Sequence, residues 1–219
     1  MPVSKKKTTT QVKKTVKADK TVIKSGRYSE VSRKTGETEI KIGLNIDGSG
    51  KHSIDTGIGF FDHMLSAFSK HGFFDMKCLV GGDLYVDGHH SVEDCGIVLG
   101  EAIKKAVGNK AGINRYGYFI LPMDEVLVLC SLDLCDRPFL GFEYEYKVPM
   151  IGDLDTELVR EFFYAVSYSA GMNLHFKVLS DGNAHHVTEA MFKAFAKALD
   201  MATGYDKRID GVLSTKGAL

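Results

Sequence analysis

Between Ile58 and His71 the large apolar side chains Phe61, Met64, Leu65 and Phe68 recur at steps of three and four residues, and Gly72 ends the run. This spacing predicts an amphipathic helix with a glycine stop. A second helical run extends from about His89 to Val107, with Val92, Ile97, Leu99, Ile103 and Val107 as its apolar set. Upstream the period changes to two. From Thr38 onward Ile40, Ile42, Leu44 and Ile46 share one strand face, and Asp47-Gly48-Ser49-Gly50 supplies a turn before Ser53–Asp55, so a hairpin is expected. Phe73–Val80 reads as a strand between the two helices, which gives the order ββαβα.

The same order returns downstream. After a short lead-in at Tyr118–Leu121, a strand pair is expected at Val126–Leu134 and Phe139–Tyr146. A helix at Glu157–Ala170 ended by Gly171, a strand at Asn173–Leu179 and a helix at His185–Ala202 follow. Laying Gly88-His89-His90-Ser91-Val92-Glu93 over Ala184-His185-His186-Val187-Thr188-Glu189 gives an offset of 96, which also pairs Ala102 with Ala198 and Ile103 with Leu199. An internal duplication is the economical reading. The predicted fold is one α+β domain over residues 26–219, with half-repeats at about 33–112 and 113–205 and a C-terminal loop at 211–219. Each half is expected to be a mostly antiparallel four-stranded sheet backed by two helices.

Composition narrows the class. At 44% hydrophobic the 219 residues can bury a core, and 28 basic side chains balance 28 acidic ones, which removes any whole-chain charge argument for nucleic-acid binding. The balance hides a basic end: residues 1–25 carry eight lysines against Asp19 alone, a net +7, so residues 26–219 carry −7. That lysine- and threonine-rich stretch is expected to be a mobile extension outside the fold. Cys78, Cys95, Cys130 and Cys135 have no CxxC spacing, so reduced thiols are expected. No run nears the ~18 apolar residues of a membrane helix, and the N-terminus has no secretory apolar core. A soluble cytoplasmic protein with no membrane partner is expected.

Four of the eight histidines lie in two HHxxE motifs at predicted helix starts. At about 100° per residue, His89 and Glu93 share a face while His90 points away; His185, Glu189 and His186 repeat the geometry. Imidazole plus carboxylate suits first-row divalent metals, and the motifs contain no thiolate for a structural zinc clip. If each half adds a ligand from its preceding helix, His63 is the candidate in the first half, and an offset of 98 places it on Glu161 in the second. Two quasi-equivalent metal sets follow: His63, His90, His185 and Glu189; and Glu161, His186, His89 and Glu93. His175 competes with Glu161.

Gly57-Ile58-Gly59-Phe60-Phe61-Asp62-His63-Met64-Leu65, Asp87-Gly88-His89-His90-Ser91-Val92-Glu93-Asp94 and His185-His186-Val187-Thr188-Glu189-Ala190-Met191-Phe192-Lys193 resemble the imidazoleglycerol-phosphate dehydratase family, as do Arg137-Pro138-Phe139 and Ser214-Thr215-Lys216-Gly217. The resemblance runs from about Arg33 to Leu219, although some members carry His at the position of Glu161. It implies a hydro-lyase of histidine biosynthesis that converts D-erythro-imidazoleglycerol phosphate to imidazole acetol phosphate through a metal-stabilised imidazolate. It also implies two Mn²⁺ per chain and a 24-subunit shell with sites shared between subunits. Glu37 matches a substrate-contacting glutamate and is the expected acid/base group, with His71, Glu93 and Glu189 as further catalytic candidates. Arg115, Arg137, Lys193, Ser214, Thr215 and Lys216 match phosphate or substrate contacts, His71 is expected to meet substrate, and His63, His89, His90, Glu93, His185 and Glu189 are expected to meet substrate as well as metal.

Two other classes remain open. A di-iron or metal-storage bundle places Glu before His on four long helices, whereas here His precedes Glu and strands intervene. A two-metal phosphohydrolase draws on several aspartates at strand ends.

Overall fold

The computed structural model describes residues 26–218; the expected extension at 1–25 lies outside them. The first half runs β1 (Tyr28–Lys34), β2 (Thr38–Asn45), β3 (His52–Asp55), α1 (Gly59–His71), β4 (Asp75–Gly82) and α2 (His89–Val107). The second runs β5 (Tyr116–Met123), β6 (Val126–Asp133), β7 (Phe139–Phe142), the two-residue strands β8 (Met150–Ile151) and β9 (Leu154–Asp155), α3 (Glu157–Ala170), β10 (Asn173–Ser180) and α4 (Ala184–Thr203).

The two main sheets have the same topology, β1-β2-β4-β3 and β5-β6-β10-β7, with one parallel pair each, β3 on β4 and β7 on β10. The α+β class and the duplicated four-stranded sheets are therefore as expected, but each half opens one strand earlier. Strand β1 escapes the apolar pattern because Val31 is its one buried apolar residue; Ser29 is buried through a hydroxyl that donates to the Ala102 carbonyl at 2.7 Å. The lead-in at Tyr118–Leu121 is part of the eight-residue β5.

Neither expected strand pair is a hairpin. The chain leaves β2, steps across β4 and returns as the far edge strand β3. Asp75, at the start of β4, clamps the connection by accepting the backbone N–H of Ser49 (2.8 Å) and of Lys51 (3.0 Å). In the second half β7 likewise pairs with β10, and its first N–H, from Phe139, reaches the Met172 carbonyl at 3.1 Å.

Alternating side chains point inward from each sheet, Ile40, Ile42 and Leu44 from β2 and Val126, Val128, Cys130 and Leu132 from β6. Helix α2 lies on the first sheet and α4 on the second, but α1 packs on α4 and α3 on α2, so the halves exchange helix contacts. Phe61 of α1, Phe162 of α3 and Phe192 of α4 meet with ring centroids 5.2 to 6.5 Å apart, which makes one shared core. Where α2 crosses α3 the backbones nearly touch: a Cβ on Gly96 would lie 2.7 Å from the Phe162 carbonyl oxygen. On α2, Val98 is fully buried and the expected Ile97 only half-buried. All four cysteines are buried and free. Among the described residues no helix is long and apolar enough to cross a membrane.

Candidate metal and substrate site

Both HHxxE helices start behind a side chain that fixes the first turn. Asp87 Oδ1 accepts the His89 N–H at 2.8 Å, and Asn183 Oδ1 accepts the His185 N–H at 2.9 Å, two residues ahead of the first histidine in each case. Asn183 is the N-cap of α4, and Asp87, one residue before the α2 N-cap Gly88, serves the same end: each satisfies a helix-end donor.

On α4 and α1 three ligand atoms converge. His185 Nε2 lies 3.1 Å and His63 Nε2 3.2 Å from Glu189 Oε2, while Lys193 Nζ sits 2.6 Å from Glu189 Oε1. The His63, His185 and Glu189 ligand atoms all fall within 4.8 Å of one another. Phe60 packs edge-on against the His185 ring, centroids 5.0 Å apart. Burial raises the Glu189 carboxyl, but the Lys193 ammonium and His63 outweigh it and bring the pKa down to about 2. At the end of α1, burial first and then the neighbouring Lys193 lower the His71 pKa, which favours the neutral imidazole. Two imidazoles and an ionised carboxylate, with no thiolate, form a donor set suited to a divalent ion such as Mn²⁺.

The second expected set does not close in the same way. His89 Nε2 and Glu93 Oε2 are 3.8 Å apart, but Glu161 turns to Arg160, at 3.0 Å, and the three do not form a metal-sized cluster. His175, its competitor, points outward from β10 against Phe139, centroids 5.3 Å apart, while its neighbours Leu174 and Phe176 face the core. Among the described residues it does not join His89 and Glu93 in a metal-sized cluster within the chain.

His90 and His186 stand apart from the sets in which the sequence placed them. His90 Nδ1 faces Asp83 at 3.1 Å and Glu37 at 3.8 Å. His186 Nδ1 faces Glu125 at 3.0 Å, with Asp124 3.7 Å from its Nε2. Each expected tetrad is thus split, and its remaining histidine is displayed elsewhere on the same chain. Hydrogen bonding to Asp83 holds the His90 imidazolium above its ordinary pKa. The N–H donated by Asn183, reinforced by the His186 ring, brings the Glu125 carboxyl down to about 2. Sequence reasoning missed Asp83, Asp124 and Glu125; the signal available was that a metal-binding histidine needs a partner for its second ring nitrogen.

Glu37 occupies the exposed turn between β1 and β2, with its N–H on Thr35 Oγ1 at 3.1 Å. The phosphate candidates gather in a cleft of about 830 Å³ lined by Arg115, Arg137, Ser214, Thr215 and Lys216, joined by Arg208, which the sequence reading also missed. Arg115 is only partly available there. Its Nε and Nη2 donate to the Asp133 carboxylate at 2.7 and 3.0 Å and its Nη1 to the Leu213 carbonyl at 2.7 Å, so it pins the C-terminal segment. Lys193, expected at phosphate or substrate, lies outside this cleft and pairs with Glu189 because the i,i+4 spacing on α4 stacks the two.

A family described as imidazoleglycerol-phosphate dehydratase matches residues 56–199. The chain is 62% identical over 193 residues to the imidazoleglycerol-phosphate dehydratase of Lachnoclostridium phytofermentans, covering 88% of this chain and 98% of the relative. It is 60% identical to that of Acetivibrio thermocellus, covering 88% and 99%. Among solved structures, the Staphylococcus aureus enzyme superposes with a TM-score of 0.74 at 35% identity, covering 82% of this chain and 99% of that one. The Pyrococcus furiosus enzyme, in complex with (S)-C348, superposes at 0.75 and 36% identity, covering 86% and 100%.

Proposed function

Because the chain belongs to the imidazoleglycerol-phosphate dehydratase family, we propose that its displayed histidines complete metal clusters on neighbouring copies of the same chain. The protein is a hydro-lyase of histidine biosynthesis: it removes water from D-erythro-imidazoleglycerol phosphate to give imidazole acetol phosphate. The observation that carries the shared-site reading is the split of both tetrads. His63, His185 and Glu189 converge within 4.8 Å, whereas His90 is held by Asp83 away from them.

In this reading one Mn²⁺ is held by His63, His185 and Glu189 with a neighbouring copy's His90. The other would be held by His89 and Glu93, 3.8 Å apart, with a neighbouring copy's His186, and Glu161 would join them by turning from Arg160, giving two per chain. When bound, the ions supply Lewis-acid stabilisation of the negative charge that develops on the substrate's imidazole ring. The carbon-bound proton next to that ring is weakly acidic, so a positioned acid/base group is needed. Glu37 takes this role, with its carboxylate 3.8 Å from His90 Nδ1 and therefore at the junction where a neighbour's cluster would dock. Arg137, Arg208, Ser214, Thr215 and Lys216 orient the phosphate, and guanidinium forks match its oxygens. The assembled form is the 24-subunit shell of the family, in the cytoplasm.

Two variants test sharing directly. His63→Ala and His90→Ala each disable the same type of site when pure. If sites are shared, shells assembled from a mixture of the two regain part of the activity, because some sites pair an intact cluster with an intact His90. Metal analysis should find close to two Mn²⁺ per wild-type chain, and light scattering should find smaller species after chelation. An active monomer that retains both metals would overturn the shared-site reading.

A further inference from the structure

Building on the shared-metal reading above, we infer that Asp83 and Glu125 are positioning residues: each holds one displayed histidine, His90 or His186, by Nδ1 and leaves Nε2 for metal outside its own cluster. Both contacts are two-pronged. His90 Nδ1 lies 3.1 and 3.3 Å from the two Asp83 oxygens, and His186 Nδ1 lies 3.0 and 3.3 Å from the two Glu125 oxygens. An imidazole that donates Nδ1–H to a carboxylate carries its lone pair on Nε2, the form a metal requires, and ring rotation is restricted by the same bond.

One carboxylate is shielded from water and the other is anchored by the backbone. The Asp83 side chain is 13% exposed, just past the end of β4. Glu125 Oε1 accepts the Asn183 N–H at 2.6 Å, so the residue that caps α4 also fixes the group that aims His186. Asp124, beside His186 Nε2, is 76% exposed and at 3.7 Å is too far to hold the ring.

The halves reach this arrangement from different positions. The counterpart of Asp83 at offset 98 is Asp181, which accepts from Tyr144 at 2.8 Å and pairs with Lys147 instead of a histidine. The counterpart of Glu125, immediately before β2 as Glu125 is before β6, is Glu37, and it stays 3.8 Å from His90 Nδ1. A contact inherited passively from a duplication would use matching residues. The same contact from non-matching residues indicates a demand that each half met separately. His63 and His185, by contrast, direct Nε2 at Glu189 within their own chain.

The test is Mn²⁺ binding to the metal-depleted full-length protein by isothermal titration, with variants on both carboxylates. Asp83→Ala should weaken one of the two sites by roughly 10- to 100-fold and Glu125→Ala the other, the usual scale for a ligand-orienting partner. Asp83→Asn and Glu125→Gln keep an acceptor oxygen and the side-chain shape, so they should fall between wild type and alanine. If the effect runs through the histidine, Asp83→Ala added to His90→Ala should weaken binding no further, and Glu125→Ala added to His186→Ala likewise. Equal losses with and without the histidine, or two undiminished sites in the double alanine variant, would overturn the positioning role while leaving the metal reading intact. A wild-type protein that binds no Mn²⁺ would overturn both.

Discussion

Gly96→Ala tests whether the crossing of α2 and α3 governs both stability and metal content. The added Cβ would lie 2.7 Å from the Phe162 carbonyl oxygen and 2.8 Å from the Ala165 Cβ. Close carbon–oxygen contacts settle at about 3.3–3.6 Å, so α3 must retreat by roughly 0.6–0.9 Å. Overpacking of this kind costs about 1–3 kcal/mol, and Ala recovers about 1 kcal/mol of helix propensity over Gly. The net loss is about 1 kcal/mol, or ~2–4 °C in melting temperature for a domain of this size. Because α2 carries His89 and Glu93 and α3 carries Glu161, the retreat should also weaken the second Mn²⁺ while sparing the one on His63, His185 and Glu189. Differential scanning calorimetry on the metal-free protein and metal analysis on the loaded one read the two effects. Gly36→Ala, with nothing within 4 Å of the added carbon, is the control and should change neither. A Gly96→Ala protein that melts higher than wild type and keeps both metals would refute the close crossing.

Glu37→Gln should lower turnover by about 10²-fold or more with metal content unchanged, measured by ultraviolet detection of the keto product. For Glu189, whose folded pKa of about 2 lies below its ordinary 4.5, the ionised form stabilises the metal-free protein above pH 4.5, and this is lost as pH falls toward about 2. Glu189→Gln should therefore flatten the acid limb of an unfolding-versus-pH curve in that window; an unchanged limb would refute the assignment. Arg115→Met strands the Asp133 carboxylate and frees the Leu213 carbonyl, so urea unfolding should show a loss of about 3 kcal/mol, with faster proteolysis near Leu213 and a raised KM.

What could be read from the sequence was local. The helix faces, the repeated HHxxE and the convergence of His63, His185 and Glu189 depend on periodicity and on an offset between repeats. Strand partners depend on distant contacts. Asp47–Gly50 reads as a hairpin turn, but the Asp75 carboxylate 24 residues beyond Lys51 decides that the chain crosses to the far edge instead. Strand β1 was invisible because Ser29 is buried by a hydrogen bond and not by hydrophobicity. The engagement of Lys193 with Glu189 follows helical spacing and was within reach, whereas the Asp83 and Glu125 contacts arise where strand ends meet helix starts.

The exchange of helices between halves bears on how such a chain could arise. With α1 on α4 and α3 on α2, neither half closes its own apolar surface. A second copy of a free-standing half would offer the matching surface, so the present chain has the architecture of a homodimer with its protomers tethered. The short link from α2 to β5 turns a concentration-dependent encounter into an intramolecular one, at effective concentrations on the order of millimolar. Tethering also removes any requirement that the two halves be identical. Glu161 opposite His63, and Glu125 doing in one half what Asp83 does in the other, are asymmetries that a symmetric dimer encoded by one half-length gene could not have held.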